Sequence, residues 1–588
     1  MPDDAYRFAK GEVLGLAPFN EQGQPTRQIR IDRPLDFAAV TDHAEWIGEL
    51  GACRTQDSAA YASLDCRILR GEVADSAALK SKLVSDINRG LQRGVEEFCG
   101  VDASRCRHYA GLAWQRIQAA AAAHQDRSER CTFTTFNAWE YSAMPGLSKV
   151  HRNVILRNES VPELPISWME EPDPLGLWQK LQTRCNETDT GCEALTIPHN
   201  PNLSNGQLFT VVDRDQPLVI QQRRAELQAQ LEPLVEIAQS KGESECRSGM
   251  YQILGGEDEY CGFEKVRFQA DGTRPEDCAE GTGTGALLGN GCQSRLDFVR
   301  YGLIEGLREQ ARLGVNPYRF GFVGGTDTHN ATPGATAEHN YAGHNALRDA
   351  TPQQRLTRSA YVLHKLRNPG GLMGVWAEEN SRDAIFDAMQ RRETFATSGG
   401  RVKPRFFAGW QLPETLCQSD DAIALAYAGG VPMGGELGGE DFDRPDKRGP
   451  LFFASSLRDP GAENFAGSGL QRMQIIKGEV AATGEFRETV IDIATDPGLA
   501  VEVDAACQPT RGGATNLCTV WRDPQWNSAR NTVYYLRVLE QPSCRWSARQ
   551  CMKLPEKERP EACADGSLPR TIQERAWTSP IWYVPGAS

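Results

Sequence analysis

Four short apolar runs in this chain each lead into side chains that can bind a metal ion. The runs are rich in Phe, Val, Ile and Thr, and runs of this length and composition favour buried strands over helices. They are LDFAAV before Asp42 and His43, CTFTTFNAW before Glu140, EALTI before His199, and FGFVGG before Asp327 and His329. Strands that deliver such side chains at their carboxyl ends are typical of the mouth of an α/β barrel, where loops converge on one site. We therefore expect the chemistry of the protein at these strand ends.

The histidines strengthen this interpretation. A single Asp or His after a strand is more often a turn residue or a helix cap than a metal ligand. However, the chain has only nine histidines in 588 residues, and four of them lie in or just beyond these strand ends: His43, His151, His199 and His329. Mixed sets of carboxylates and imidazoles suit zinc, manganese or iron. The joint pattern predicts a metal site.

Composition limits the classes of function. The hydrophobic content of 40% and the length of 588 residues allow large cores and more than one domain. A formal net charge of -14, with no cluster of Lys or Arg to offset it, argues against broad binding of nucleic acid. No apolar stretch approaches the length of a membrane span, and no signal peptide is visible.

The 17 cysteines predict disulfides and an oxidising compartment. Three pairs each enclose six residues: Cys99 with Cys106, Cys185 with Cys192, and Cys544 with Cys551. No Cys-x-x-Cys motif or Cys/His cluster resembles a zinc ribbon, so disulfide clips are favoured, with buried free thiols as the alternative. We therefore expect an exported, periplasmic protein.

Longer motifs carry a resemblance to a known family. The strand ending in TDH, the later Glu140, PHN at residues 198–200 and the D-x-H motif after a glycine-rich strand resemble the PHP (polymerase and histidinol phosphatase) metal-dependent phosphoesterases. The closer resemblance is to the bacterial family known as domain of unknown function 3604. Its motifs run from residue 2 to the end: PDDAYRFAKGE, RPLDFAAVTDHAEWIGE, VHRNVILRN, GVNPYRFGFVGGTDTHN, ATSGGRV, PMGGELGG and IQERAWTSPIWY.

The resemblance implies a distorted (β/α)7 TIM-like PHP barrel that holds two to three divalent metal ions. It implies that Glu140 bridges two ions, with Asp327 on the first and His151 and His199 on the second. It also implies that His43 and His329 serve a third ion, with Asp42 beside it. A bridging carboxylate of this kind holds two ions close together.

One motif of the superfamily is absent from this sequence. The superfamily begins with a His-x-His strand that supplies ligands to the first and third ions, whereas the first histidine here is His43. We expect the DNA upstream of the Met1 codon to encode an export signal and this strand within about 60 residues. If Met1 is the true start, the expectation is a catalytically inactive exported binding protein.

The domain pattern expected is a barrel over residues 1–400 and a mainly-β region over 401–588. Helical insertions are predicted at about 60–130, including Leu79–Phe98 and an alanine run near Ala119, and at about 221–310. A Gly/Cys-rich segment from Tyr260 to Cys292 misses the dinucleotide-binding spacing and is interpreted as a flexible or disulfide-tied surface loop. After Gly400, alternating segments between Gly, Pro and Asp turns predict extra sheet.

Several further residues are candidates for substrate binding. Arg152, Asn153 and Asn200 directly follow proposed ligands and could hold a phosphoryl oxygen, or could make ordinary strand-end hydrogen bonds. Arg401, in the Ser398–Arg401 segment, could belong to an anion-binding loop or a simple turn. His339 and His344 could line a lid or be solvated loop residues.

We therefore expect a metal-dependent phosphoesterase in which a metal-activated water attacks a small-molecule phosphoester, with Glu140, Asp327 and Arg152 as the catalytic residues. A Ser-His-Asp hydrolase is disfavoured because no G-x-S-x-G elbow is present. Two alternatives stay open. One is an amidohydrolase-like enzyme that cleaves C–N or C–O bonds, and the other is the inactive binding protein.

Overall fold

The computed structural model describes residues 1–74, 99–209, 214–267, 274–278, 281–357, 366–438, 448–463, 465–496, 503–504, 510 and 512–585. The helix predicted over Leu79–Phe98 lies outside these residues. The chain forms two compact units. Unit 1 comprises Met1–Tyr6, Asp36–Met144 and His151–Thr196, and unit 2 comprises Arg7–Leu35, Pro145–Val150 and Ile197–Ser588.

The described residues contain eleven α-helices. They are α1 (Pro2–Ala9), α2 (Ile47–Arg54), α3 (Leu64–Arg70), α4 (Ser104–His124), α5 (Pro174–Leu181), α6 (Leu218–Leu231), α7 (Val299–Leu313), α8 (Pro352–Leu356), α9 (Arg382–Gln390), α10 (Ala422–Gly429) and α11 (Trp546–Lys553). None of the described helices is long and apolar enough to cross a membrane.

Strands occur along the whole chain. The first fifteen are β1 (Leu14–Phe19), β2 (Pro25–Ile29), β3 (Phe37–Ala39), β4 (Thr134–Tyr141), β5 (Arg152–Leu156), β6 (Ala194–Pro198), β7 (Leu234–Gln239), β8 (Gly242–Glu243), β9 (Ile253–Leu254), β10 (Gly321–Gly324), β11 (Leu372–Val375), β12 (Thr394–Thr397), β13 (Lys403–Gly409), β14 (Val431–Pro432) and β15 (Glu436–Leu437). The others are β16 (Leu451–Leu457), β17 (Gly461–Ala462), β18 (Phe465–Ala466), β19 (Leu470–Val480), β20 (Phe486–Thr495), β21 (Asn516–Arg522), β22 (Thr532–Glu540), β23 (Ser543–Cys544), β24 (Thr571–Ile572), β25 (Arg575–Thr578) and β26 (Ile581–Tyr583). The segment from Leu234 to Leu254, inside the stretch predicted as mostly helical, therefore holds three strands.

The predicted (β/α)7 TIM-like barrel is wrong. No sheet in the described part of the chain closes on itself, and the sheets are mixed or antiparallel. A barrel of that type needs all its strands parallel. Here β4 is antiparallel to β5, and β19 is antiparallel to both of its neighbours, β20 and β22. Ligand-type residues at strand ends do not require a barrel, because an antiparallel pair also brings the end of one strand to the start of the next. The fold is mixed α/β.

Unit 1 is built on a central buried strand. β3, β4, β5 and the first residues of β6 form one sheet in that order, and all eight residues of β4 are buried. Helix α4 packs on this strand, with the Trp114 and Trp139 rings edge to face at 5.6 Å between centroids. Ala120 and Ala121 are buried on α4, so the alanine run is packed helix.

Unit 2 contains most of the sheet. The largest sheet has the strand order β11-β12-β25-β22-β19-β20-β9, with β15 and β26 attached. A four-stranded sheet, β14-β13-β16-β21, shares a core with it that includes Phe406, Phe452, Ile475 and Leu536. A separate three-stranded sheet, β10-β7-β8, has β7 and β10 parallel. Parallel pairing places the carboxyl ends of β7 and β10 at one edge of that sheet.

Seven disulfides join described residues and indicate an oxidising environment. They are Cys53–Cys66, Cys99–Cys106, Cys185–Cys192, Cys246–Cys261, Cys278–Cys292, Cys417–Cys518 and Cys551–Cys563. Two of the three equal-spacing pairs are confirmed. The pairing of Cys544 with Cys551 is wrong, because Cys551 is bonded to Cys563. The Cys278–Cys292 bond ties part of the Gly/Cys-rich segment, as one of its two interpretations expects.

Removal of the Cys417–Cys518 bond should cost the most stability of the seven. Its cysteines are separated by 101 residues in sequence, against 7 for Cys185–Cys192. In the chain-entropy model, cross-linking stabilises by about 4.7 kcal/mol for a 100-residue loop and by roughly 2.5 kcal/mol for the short one. Urea denaturation of the Cys417→Ser/Cys518→Ser and Cys185→Ser/Cys192→Ser double variants compares them. A larger loss of stability in the short-loop variant would contradict the expected order.

Candidate functional site

Strand register in unit 1 brings three of the predicted ligands to the end of β4. Strand β3 runs parallel to β4, and a bridge beyond it pairs His43 with Glu140. Strand β5 runs antiparallel to β4 and pairs Asn153 with Glu140. His151 therefore lies just before a strand, and not after one as the sequence interpretation assumed. The end of β4, the segment after β3 and the start of β5 meet at Glu140.

The side chains at this point form what we call the Glu140 group: Asp42, His43, Glu140, Ser142 and His151. Oε1 of Glu140 lies 2.6 Å from Nδ1 of His151 and 3.6 Å from Nδ1 of His43. The Ser142 hydroxyl donates a hydrogen bond to the same oxygen at 2.9 Å and makes a short contact with Nδ1 of His43. Glu140 is 4% exposed. A buried carboxylate is thus enclosed by two imidazoles.

Two other carboxyl groups lie near Glu140: Asp42, which belongs to the group, and Glu45, which lies beside it. Burial raises the pKa of Asp42, the N-terminal ammonium group and His43 oppose the shift, and the charge of Glu140 adds to it. Glu45 was not predicted from the sequence, although it follows His43 by two residues. It is buried and accepts hydrogen bonds from the backbone N–H groups of Trp168 at 2.7 Å and Ser142 at 3.1 Å. Burial raises the pKa of Glu45. Burial therefore disfavours the charged form of both carboxyl groups.

Arg152 and Asn153 follow His151 on β5. Arg152 is 2% exposed, and its guanidinium group lies 5.4 Å from the centre of the Trp178 ring. Oδ1 of Asn153 has no hydrogen-bond partner among the described residues. Their role in substrate binding stays a prediction.

Strand ends in unit 2 form a second group of ligand-type residues. His199 follows β6, Gln239 ends β7, and Asp327 lies three residues after β10. Nδ1 of His199 is 3.8 Å from Oδ2 of Asp327. We call this set the Asp327 group: His199, Glu236, Gln239, Lys241, Asp327 and His329.

Three members of the Asp327 group were missed by sequence reasoning. Glu236 is 4% exposed on β7, and its Oε2 lies 3.4 Å from Nδ1 of His199. Nε2 of the Gln239 amide lies 2.9 Å from Nδ1 of His199 and donates a hydrogen bond to Oε2 of Glu236 at 2.8 Å. The Lys241 ammonium makes a short ion pair with Asp327. The one available signal was an acidic residue inside the apolar run LVEIA.

The D-x-H motif has an unusual backbone. Asp327 has a φ of 47°, in the left-handed region that residues other than Gly rarely adopt. Nδ1 of His329 lies 3.1 Å from the Asp327 carbonyl oxygen and 3.8 Å from its Oδ1. Such outliers cluster at functional sites because the surrounding structure must hold them in place. The backbone conformation is consistent with a site at this position.

Asn200 and His344 are held inside unit 2. The Asn200 amide donates to the Gly242 carbonyl at 2.5 Å, and its backbone N–H donates to Glu236 at 2.9 Å. His344 is 1% exposed, lies 2.7 Å through Nε2 from the Pro369 carbonyl, and has its pKa lowered to about 4 by burial. The interpretation of His344 as a solvated loop residue is wrong, because the side chain is buried.

Arg401 and His339 are engaged with other parts of unit 2. The guanidinium group of Arg401 donates to the Arg33 carbonyl at 2.6 Å and to the Pro34 carbonyl at 2.9 Å. The His339 ring stacks on Phe465 at 3.9 Å and pairs with Asp32 at 2.9 Å. Substrate binding by Arg401 stays a prediction.

The donor chemistry of both groups suits a divalent metal ion. Each group combines imidazoles with buried carboxylates, the ligand types that zinc, manganese and iron accept. None of these candidates belongs to a set of three described ligand residues with their ligand atoms all within 4.8 Å of one another. The described sets that meet this limit are Glu49 with Cys99 and Cys106, and Asp258 with Cys246 and Cys261. Both contain a disulfide, and its sulfurs have no thiolate to offer a metal.

Comparison with known proteins gives one match. The sequence model of the family described as "Protein of unknown function (DUF3604)" matches residues 1–585. No curated protein and no solved structure matches the chain.

Proposed function

The chain belongs to the DUF3604 family, and we propose that it is a metal-dependent hydrolase of the PHP type that acts as a phosphoesterase on a small-molecule phosphoester. The observation that carries this proposal is the placement of Glu140. A carboxylate that is 4% exposed lies 2.6 Å from one imidazole and 3.6 Å from another. A buried carboxylate needs compensating positive charge. Imidazole side chains are common metal ligands, so this arrangement suits a bound metal ion.

The residues that would hold metal ions come from both groups. Asp42, His43, Glu140 and His151 are the proposed ligands of the Glu140 group, and His199, Asp327 and His329 are those of the Asp327 group. Bound divalent ions lower the pKa of a coordinated water and neutralise charge on phosphoryl oxygens. The proposed metals are zinc, manganese or iron, as two or three ions.

The supporting residues orient these ligands. Metal-binding histidines usually engage their second ring nitrogen with a carboxylate, a carbonyl or water, which fixes the ring. Glu236 and Gln239 contact Nδ1 of His199, so Nε2 is the nitrogen that we propose as the ligand atom. Ser142 holds Oε1 of Glu140.

Two cationic side chains are suited to bind the phosphoryl oxygens of a substrate. The Lys241 ammonium neutralises Asp327, and we propose that it turns to a phosphoryl oxygen when Asp327 binds a metal ion. Arg152 supplies a buried guanidinium group on the residue after His151. Arginine recognises phosphate through its fork of N–H donors.

We also propose that the protein is exported to the periplasm. Seven disulfides between described residues support this location, because reducing conditions in the cytoplasm disfavour such bonds.

Metal removal tests the proposed activity. Dialysis against EDTA should abolish hydrolysis of bis(4-nitrophenyl) phosphate, and addition of manganese or zinc should restore it, because the metal-bound water supplies the nucleophile. The same preparation is assayed with 4-nitroacetanilide, whose cleavage would indicate the C–N hydrolase alternative. Phosphodiester hydrolysis that is unchanged after metal removal would contradict the proposal.

A further inference from the structure

A cavity in unit 2 is lined by several acidic side chains and by none of the proposed metal ligands. Its volume is about 120 Å³, close to that of an apolar cavity of about 150 Å³ that holds benzene. Its lining includes five carboxyl side chains, Asp32, Glu338, Asp459, Glu540 and Glu574, against three guanidinium groups. Phe8, Ile31, Leu372 and Phe465 supply an apolar wall. The cavity is small, partly apolar and acidic.

Glu540 is a buried carboxyl group in the lining of this cavity. It is 4% exposed, and its Oε1 has no hydrogen-bond partner among the described residues. A Cβ atom added to Gly400, which also lines the cavity, would lie 3.0 Å from this oxygen. Glycine at this position therefore leaves room beside Oε1 of Glu540, which is a buried atom. A buried acceptor without a partner is costly, so a hydrogen-bond donor bound in the cavity would stabilise this oxygen.

The neighbouring carboxyl groups make that cost larger. Burial raises the pKa of Glu540 to about 8, and the charge of Asp459 contributes. Burial also raises the pKa of Glu574 to about 8, with Glu540 adding to the shift, although the Ser398 hydroxyl bonds to Glu574 and opposes it. Asp459 is already satisfied by the Arg401 backbone N–H at 2.7 Å and by Arg33 at 2.7 Å. Glu540 and Glu574 are therefore acids that a cation would stabilise, and so is Glu338, whose Oε1 also has no hydrogen-bond partner among the described residues.

We propose that this cavity binds the ammonium group of a small organic amine, with Glu540 and Glu574 as its acceptors and the apolar wall around its carbon chain. Gly399 and Gly400 of the Ser398–Arg401 segment face Glu574 and Glu540. These carboxylates would repel an anion, and the two glycines, which have no side chains, leave room for a cation beside the acids.

The apolar wall favours an ammonium group on a carbon chain over a directly bound metal ion. Charge-assisted N–H···O bonds reach about 2.7–2.9 Å and can be made to one or two carboxylates, whereas calcium binds oxygens at about 2.3–2.6 Å and requires six to eight of them. A metal ion would gain nothing from the apolar side chains that line the cavity.

The test is titration calorimetry of the full chain with butylammonium chloride, 1-butanol and calcium chloride at constant ionic strength. Butylammonium should bind and 1-butanol of the same length should not. Glu540→Gln keeps the volume and removes the charge, and it should weaken butylammonium binding by about tenfold or more. Glu257→Gln, in the exposed Gly255–Glu257 segment, should leave binding unchanged. The described residues make no hydrogen bond to Oε1 of Glu540 that the substitution could break, so the variant should fold.

A second variant tests the geometry independently. Gly400→Ala places a methyl group against Oε1 of Glu540 and should also weaken binding. The proposal would be overturned if 1-butanol bound as tightly as butylammonium, or if butylammonium did not bind at concentrations up to about 50 mM. It would also be overturned if both variants bound butylammonium with the affinity of the parent. A further contradicting result would be that calcium binds more tightly than butylammonium and loses its binding in Glu540→Gln.

Discussion

Replacement of Glu245 by Gln should destabilise unit 2 by about 3–5 kcal/mol, the cost of breaking a buried ion pair by removing one partner. Glu245 and Arg537 are at most 1% exposed and lie 3.0 Å apart, and Arg300 lies 2.6 Å from the same carboxylate. The Tyr535 hydroxyl and the Trp577 indole N–H also donate to Glu245, both at 2.7 Å. Loss of the charge leaves two buried guanidinium groups with fewer counter-charges.

The electrostatics of Glu245 support this expectation. Burial raises its pKa, but Arg537 and Arg300 outweigh burial and bring the pKa to about 2. A depressed carboxyl pKa contributes stability that is present above the unfolded-state pKa and is lost as the pH falls towards the folded-state value. The parent protein should therefore lose this contribution between about pH 4.5 and pH 2. Glu245→Gln should remove it at neutral pH as well.

A matched control separates burial from charge. Glu378 pairs with Arg391 at 3.3 Å but is 74% exposed, so Glu378→Gln should change stability by less than about 0.5 kcal/mol. Urea midpoints and Tm values of the two variants are compared with those of the parent. Equal effects in both variants would mean that the buried network contributes no more than a surface pair.

Glu140→Gln should reduce phosphodiester hydrolysis by roughly three orders of magnitude or more, because the metal-activated water is expected to supply most of the rate enhancement. The amide keeps nearly the same volume but removes the charge that His43 and His151 surround. Glu159→Gln is the control. Glu159 is 59% exposed and pairs with an exposed arginine, so its activity should equal that of the parent. Activity within tenfold of the parent in Glu140→Gln would contradict the proposed role.

The sequence could predict which ligand-type residues lie at the strand ends of the candidate site. Apolar runs that end in ligand-type residues indicated strands, and Glu140 on β4, His199 after β6 and Asp327 after β10 are placed as expected. These predictions depend on short-range patterning, which the sequence records directly. The contact of Glu140 with His151 depends in addition on the register of β5 against β4.

The arrangement of the strands could not be predicted in the same way. An apolar run does not reveal the direction of its neighbour, so the antiparallel pairing of β5 with β4 was missed and a parallel barrel was expected. The family resemblance reinforced that error. Glu236 was missed because a single acid inside a buried run has no periodicity to mark it.

Long-range contacts account for the remaining differences. Equal spacing suggested that Cys544 pairs with Cys551, but the bond from Cys551 goes to Cys563. Disulfide connectivity depends on tertiary proximity, which spacing alone does not give. His344 was expected in a solvated loop or a lid, and its burial depends on packing against the segment at Pro369.

The most direct test of the central claim is the metal content of the purified full chain, measured by inductively coupled plasma mass spectrometry after dialysis against metal-free buffer. The proposed function predicts bound zinc, manganese or iron in the parent and in Glu159→Gln, and a clear loss in Glu140→Gln. The reason is that the substitution removes a charged ligand from a group of imidazoles and carboxylates. Equal metal content in all three proteins, or no transition metal in the parent after exposure to these ions, would contradict a metal site at Glu140.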